Sequence, residues 1–271
     1  MSFYTSLNGL KNAQTDLGTI AHNIANAETT GFKKSDTRFA DLVAGGSYTD
    51  PRQIKGIGST VSGIVQNFGL GAIDQTGNAT DLAIAGDGFF TTRHEESGRT
   101  LFTRNGNFEI DGGGYLQDGG GNRLQMFGLD AAGNPASGGA TADVLIPATN
   151  AGGAELAGVT IESDGTINAA YADGTINAVG RVAMATFIAP TSLRQTGDSK
   201  WEATGGSGAP TMGVPGVGRY GNLLSGALER SNVDLAEEMV GLITAQRYFQ
   251  ANAKAIDTAT QLSQTIINLR S

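Results

Sequence analysis

The stretch Leu235-Ala-Glu-Glu-Met-Val-Gly-Leu-Ile-Thr-Ala-Gln-Arg-Tyr-Phe-Gln-Ala-Asn-Ala-Lys-Ala-Ile256 decides how the chain is read. Leu235, Met239, Leu242, Gln246, Phe249, Ala253 and Ile256 recur at alternating steps of three and four, which places them on one stripe of an α-helix. The stripe then drifts to Ala259, Leu262, Ile266 and Leu269. Ser231-Asn-Val-Asp234 has the spacing of a capping box and marks the expected start. Asp234, Glu237 and Glu238 in the first turns, with Arg270 in the last, complement the helix dipole.

The opposite end carries the same alternation. Phe3, Leu10, Leu17 and Ile24 repeat every seven residues, with Leu7, Gln14 and Ala21 between them, as in a coiled-coil seam. Gly31 is the expected stop, and a helix of that length reaches ~45 Å at ~1.5 Å per residue.

Glycine separates these ends from the middle. Of 41 glycines, residues 1–31 hold three and residues 232–271 one. Each interior glycine costs a helix ~1 kcal/mol against alanine, so the glycine-rich middle is not helical. There Leu82 and Ile84, Phe108 and Ile110, Val144 and Ile146, Val159 and Ile161, and Val182, Met184 and Thr186 alternate as half-buried strands do. Asp-Gly pairs at 87, 111, 118, 164 and 173 mark turns. Asp164-Gly-Thr-Ile-Asn-Ala169 recurs as Asp173-Gly-Thr-Ile-Asn-Ala178, which reads as a hairpin, because a solenoid needs roughly three or more repeats.

The expected fold class is therefore α+β: N- and C-terminal helices forming a coiled-coil-like core domain, with a β-rich (all-β) middle domain. Residues 1–31 with 232–271 form the helical core, 32–75 a connecting arm interrupted by Gly45-Gly46 and Pro51, and 76–231 the β-rich domain.

Composition excludes several functions. The net charge is −8 and the only adjacent basic pair is Lys33-Lys34, so no nucleic-acid footprint or anionic-membrane anchor is present. No run approaches the ~20 apolar residues of a membrane-spanning helix, and no cleaved signal peptide is expected. The chain has no cysteine, which removes disulfides, thiolate metal sites and cysteine nucleophiles. Its two histidines, His22 and His94, stand in none of the HExxH, GxSxG or phosphate-loop patterns. No catalytic residue, cofactor or metal ligand is assigned.

One ligand candidate is Asp111-Gly-Gly-Gly-Tyr-Leu-Gln-Asp118-Gly-Gly-Gly-Asn122, which resembles the glycine-aspartate repeats that bind calcium in secreted β-rolls. Its spacing of seven and its single occurrence favour two tight turns bracketing a strand over Tyr115–Gln117. A secreted calcium-binding β protein stays open as a separate class of function.

The outer faces of the terminal helices are informative. In residues 2–31 only Lys11, Asp16 and Glu28 are charged. A neutral surface of short side chains suits packing against several further helices, which other copies of the chain can supply. Phe3, Leu7, Leu10, Leu17, Ile24, Leu235, Met239, Leu242, Phe249, Ile256, Ile266 and Leu269 are the expected subunit-packing positions. Asn23, Asn26, Gln246 and Asn252 add uncharged donors and acceptors.

Specific strings resemble the rod and hook family of bacterial flagellar axial proteins. They are Ala21-His-Asn-Ile-Ala-Asn-Ala-Glu-Thr-Thr-Gly-Phe-Lys33, Asp81-Leu-Ala-Ile-Ala-Gly-Asp-Gly-Phe-Phe90, Phe102-Thr-Arg-Asn-Gly-Asn-Phe108, Gly226-Ala-Leu-Glu-Arg-Ser-Asn-Val-Asp-Leu235 and Ala245-Gln-Arg-Tyr-Phe-Gln-Ala-Asn252. Within the family, Met1-Ser-Phe3, Asn268-Leu-Arg270, Ala170-Tyr-Ala-Asp-Gly174 and Gly197-Asp-Ser-Lys-Trp201 resemble the hook branch. The chain length and the sequence around Ser47–Lys55 suit the distal rod instead, and both readings remain open.

The resemblance implies a non-enzymatic structural subunit of an extracellular tube, the hook being a flexible joint that transmits torque and encloses an export channel. Implied partners are further copies of the chain, rod, hook-cap and hook–filament junction proteins, and the type III export apparatus. Export without a cleaved signal is implied, with no nucleic acid and no membrane insertion.

Overall fold

The computed structural model describes residues 2–44, 52, 55–130 and 140–268. The chain divides into two compact units. The helical unit holds residues 1–27, 34–67 and 233–271, and the β unit holds 28–33 and 68–232. The chain thus passes between units at four points.

In the helical unit, α1 spans Ser2–Ala25 and α2 spans Leu235–Asn268. At ~1.5 Å per residue they are ~36 and ~51 Å long. Helix α1 stops six residues before the glycine expected to end it. Asn26 closes it, its side-chain Nδ2 donating to the His22 carbonyl at 2.8 Å. The Ala27 N–H then reaches back only to the Ile24 carbonyl, tightening the last turn. Gly31 does take a left-handed φ of +67°, but within the β unit, where a β-carbon would lie 2.4 Å from the Asn105 nitrogen. Its missing side chain permits a close backbone approach, not a helix cap. The start of α2 also moves. Asp234 is its cap, with Oδ1 accepting from the N–H groups of Ala236 at 2.8 Å and Glu237 at 3.2 Å.

Between the helices in sequence, the expected arm forms a long antiparallel hairpin of β1 (Ser35–Ala44) and β2 (Lys55–Gln66). Its register runs from Ser35 opposite Gln66 to Ala44 opposite Lys55, with irregularities after Arg38 and Leu42. Such bulges bend and twist a ribbon. Gly45, Gly46 and Pro51 lie outside the described residues. The hairpin lies on α1 through the Asn12 Nδ2 bond to Ser59 Oγ at 2.8 Å and the Thr37 hydroxyl bond to that of Thr19 at 3.1 Å.

The β unit is built on one sheet of 13 strands among the described residues. Its main path runs Leu156–Ile161, Thr166–Tyr171, Ile176–Val182, Asn122–Phe127, Phe89–His94, Thr100–Thr103, Lys200–Glu202 and Arg194–Gly197. Every pairing along it is antiparallel. The sequence repeat forms a hairpin whose strands pair Ala169 with Asn177.

Two apolar clusters hold this unit, and Phe89 and Phe90 divide them. Successive strand residues point to opposite faces. Phe90 enters a cluster with Leu82, Ile84, Phe108, Leu124 and Met184. Phe89 enters the other with Phe102, Phe187 and Trp201, where Trp201 is fully buried. Ring centroids there lie 4.8–5.8 Å apart at steep angles, the edge-to-face geometry that aromatic pairs prefer.

Candidate assembly interface

Helices α1 and α2 meet through small residues. Asn252 stands against Gly9, and Ile20 against Gly241. The buried residues of α1 are Ala13, Thr19, Ile20 and Asn23, Asn23 the most deeply so, with Ala27 buried just beyond the helix end. The expected seam lies to one side: Leu7, Leu10, Leu17 and Ile24 are half-buried and Phe3 is exposed. On α2, Leu242, Phe249, Asn252 and Ile256 are half-buried, while Leu235, Met239, Gln246 and Ile266 are exposed. Residues 260–268 are exposed on every side, and Leu269 lies outside the described residues.

Asn23, whose amide the sequence leaves open to a neighbouring copy or to its own chain, spends its hydrogen bonds inside its own unit. Its Oδ1 accepts from the Ser35 N–H at 2.9 Å, and its Nδ2 donates to the Ser35 carbonyl at 2.9 Å and to Glu238 Oε2 at 3.2 Å. One buried amide thus ties α1, β1 and α2 together. Beside it, Lys34 Nζ lies 3.6 Å from Glu238, 3.4 Å from Glu237 and 3.8 Å from Asp36. Burial pulls the Lys34 pKa down, but these three carboxylates outweigh it and hold it above its ordinary value. The Asn26 and Asn252 amides likewise donate to carbonyls one turn back on their own helices.

The exposed face of α2 follows the same rule. Its five serine and threonine hydroxyls, on Thr244, Thr258, Thr260, Ser263 and Thr265, each donate to the carbonyl four residues earlier at 2.8–2.9 Å. From Met239 to Asn268 only Arg247, Lys254 and Asp257 are charged. The surface is polar enough for water yet carries few groups that demand a fixed partner.

The β unit contains an internal charged junction that spacing along the chain does not reveal. Glu229 is fully buried with Lys33 Nζ at 2.5 Å from Oε1 and Arg104 Nη1 at 3.2 Å from Oε2. Oε1 also accepts from the Gly71 N–H at 2.9 Å. Lys33 donates further to the Gly69 carbonyl at 2.7 Å, and Arg104 to the Gly86 carbonyl at 2.9 Å. Burial lowers the pKa of both cations, opposed in each case by Glu229. The Arg104 guanidinium also sits 5.4 Å from the centre of the Phe89 ring.

The glycine-aspartate segment is turn chemistry. Asp111 Oδ1 accepts from the N–H groups of Gly113 and Tyr115, and Asp118 Oδ1 from those of Gly120 and Asn122. Asn150 repeats the pattern with Gly152 and Ala154. The remaining Asp118 oxygen faces the Lys200 ammonium at 3.1 Å, so the carboxylate is already answered by a cation of its own chain. Lys200 is delivered by a hairpin turn in which Gly197, Asp198 and Ser199 all take left-handed φ. Nothing here favours a calcium site, and among the described residues no three His, Asp or Glu side chains group as metal ligands. Nor is any described helix long and apolar enough to cross a membrane.

Comparison with known proteins gives matches in three parts of the chain. Residues 3–33 match the flagella basal body rod protein family, 83–169 the flagellar hook protein FlgE/F/G D1 domain, and 224–269 the flagellar basal body rod FlgEFG protein C-terminal family. The chain is 36% identical to the flagellar basal-body rod protein FlgG of Bacillus subtilis, over 99% of this chain and 98% of that protein. It is 31% identical to FlgG of Borreliella burgdorferi over 99% and 98%. With the flagellar hook protein FlgE of Salmonella typhimurium it shares 26% identity over the whole of both chains, in an alignment of 413 positions.

Proposed function

The chain belongs to the FlgE/F/G family of flagellar rod and hook proteins, structural components of the bacterial flagellum, and we propose that it is a hook-type subunit that polymerises into a bendable tube. The observation that carries the hook reading is the exposed face of α2, where every serine and threonine hydroxyl is satisfied within its own helix. A neighbouring copy packed there meets van der Waals contact and few directional bonds. Contacts of that kind let subunits shift past one another as a tube bends without breaking hydrogen bonds. The hook-like strings at Ala170–Gly174 and Gly197–Trp201 support the same assignment.

In this reading the exposed Phe3, Leu235, Met239, Gln246 and Ile266 face other copies of the chain. The tube encloses the export channel and carries motor torque to the filament. Rod, hook-cap and hook–filament junction proteins adjoin it, and subunits reach it through the type III export apparatus without a cleaved signal.

A second reading, the distal rod, is favoured by one observation: the FlgG relatives match this chain from end to end with few added positions. Electron microscopy of tubes assembled from the full chain separates the two. Curved tubes that bend under flow are the expected result, and uniformly straight, stiff tubes would assign the chain to the rod. Deleting residues 2–25 is expected to abolish assembly, and tubes that still formed would overturn both readings.

A further inference from the structure

At all four points where the chain leaves or rejoins the β unit, the residues on the β-unit side are bonded to one another in one network centred on Glu229 and Arg230. Glu28, just after the first crossing, receives two 2.9 Å bonds from Arg230 Nη2. Lys33, just before the second, pairs with Glu229. Gly69 and Gly71, after the third, bond to Lys33 and Glu229 respectively. Asn232, before the fourth, donates from Nδ2 to the Gly69 carbonyl at 3.2 Å. The backbone repeats the arrangement: the Gly31 N–H donates to the Glu229 carbonyl and the Arg230 N–H to the Ala72 carbonyl, each at 2.8 Å. Gly71 runs so close to Arg230 that a β-carbon would lie 2.1 Å from its carbonyl oxygen.

We propose that the Glu229 carboxylate makes these crossings one mechanical element, so that residues 28–33, 68–72 and 227–232 stay docked in the β unit or leave it together. The reason is electrostatic. Glu229 is the only carboxylate bonded to two buried cations, Lys33 and Arg104, among the described residues. Asp87 acts on Arg104 through space alone. Remove Lys33 and a neutral Arg104–Glu229 pair remains. Remove the Glu229 charge and two buried cations face each other without a counter-ion between them, the costlier outcome in a medium of low dielectric. The carboxylate therefore holds segments that lie 196 and 125 residues away in sequence. For a tube subunit, load entering at any crossing would be shared by all of them; that use rests on the tubular reading, whereas the coupling itself does not.

The test is amide hydrogen exchange on the unassembled full chain, so its outcome does not depend on whether the chain builds hook or rod. In Glu229→Gln, nearly isosteric, the amides of Gly31, Gly71 and Arg230 are expected to exchange at least tenfold faster and by a common factor. Amides of Phe89–His94 should stay unchanged. Lys33→Met should accelerate the same three amides less, and the double variant should fall back toward Lys33→Met because one excess charge has gone. Should Glu229→Gln not fold, Lys33→Met and Arg230→Ala still test the idea, since both should move all three amides together. Independent responses of Gly31 and Gly71, or a larger effect from Lys33→Met than from Glu229→Gln, would overturn it.

Discussion

The Asn252 side chain of α2 lies directly on the α-carbon of Gly9 in α1, its Oδ1 only 2.5 Å from where a β-carbon would stand. That is closer than van der Waals contact, so the helix pair approaches at a residue with no side chain. Overpacking costs about 1–3 kcal/mol, but alanine returns ~1 kcal/mol of helix propensity and the Asn252 amide can turn aside, so Gly9→Ala is expected to destabilise the pair by no more than about 2 kcal/mol. Combining it with Asn252→Ala should recover most of the loss, as read by helical circular dichroism during urea unfolding.

Asn23→Ala removes the amide that serves both backbone groups of Ser35 and reaches Glu238. A buried donor and acceptor left unpaired cost about 1–3 kcal/mol each. With both backbone groups of Ser35 left unpaired the variant is expected to lose about 2–6 kcal/mol, and the Ser35 amide should exchange faster than those elsewhere in β1.

How much of this was legible in the sequence depends on what each residue's signal was. The turns at Asp111, Asp118, Asp164 and Asp173 were readable, because Asp-Gly chemistry is local. So were the two terminal helices, because the three-four spacing is local too. The buried face of α1 was not. Leu7, Leu10 and Leu17 are far more apolar than Gly9 and Ala13, yet close approach selects Gly9 and Ala13 on α1 and Gly241 on α2, and such small residues carry little hydropathic signal. Gly31 misled in a related way: a left-handed glycine after a helix resembles a cap, but its conformation serves the approach to Asn105. The junction at Glu229 was invisible because its parts are brought together only by the completed β unit.

Trp201 is the only tryptophan in the chain and is fully buried among Phe68, Phe89 and Phe102. Trp201→Phe keeps an aromatic there and should cost less than the about 3–5 kcal/mol expected of Trp201→Ala. Emission of the wild-type protein should be blue-shifted and move to the red at the same urea concentration at which β-sheet signal is lost. Separate transitions would mean that this cluster melts apart from the sheet.

Acid should weaken the β unit. Hydrogen bonds from Arg194 and Arg99 hold the Glu202 carboxyl below its ordinary range. Burial pushes Asp164 up, but bonds from Thr166 and Arg181 outweigh it and lower that group as well. A carboxylate whose folded pKa is depressed contributes fully above its unfolded value, and the contribution fades as pH falls through the folded one. Thermal midpoints are expected to drop as pH falls below about 4, and Glu202→Gln should flatten that dependence.

Valine at Thr258, Thr260 and Thr265 tests the outer face of α2. Valine and threonine have nearly equal helix propensity, so helicity should change by only a few tenths of a kcal/mol. Tubes of the triple variant should form and bend as before, because those hydroxyls already bond to their own helix. Loss of curvature in micrographs would show that the hydroxyls reach neighbouring copies after all.

The all-round exposure of residues 260–268 bears on how growth is controlled. Nine residues are fewer than the ~12–15 at which an isolated helix becomes even marginal in water, so in a solitary molecule these turns persist only as an extension of the helix before them. Ordering them fully falls to whatever molecule comes to lie alongside. In the tubular reading proposed above, elongation would then include a folding step that free chains cannot complete for one another cheaply, which would favour adding to an existing end over starting a new one.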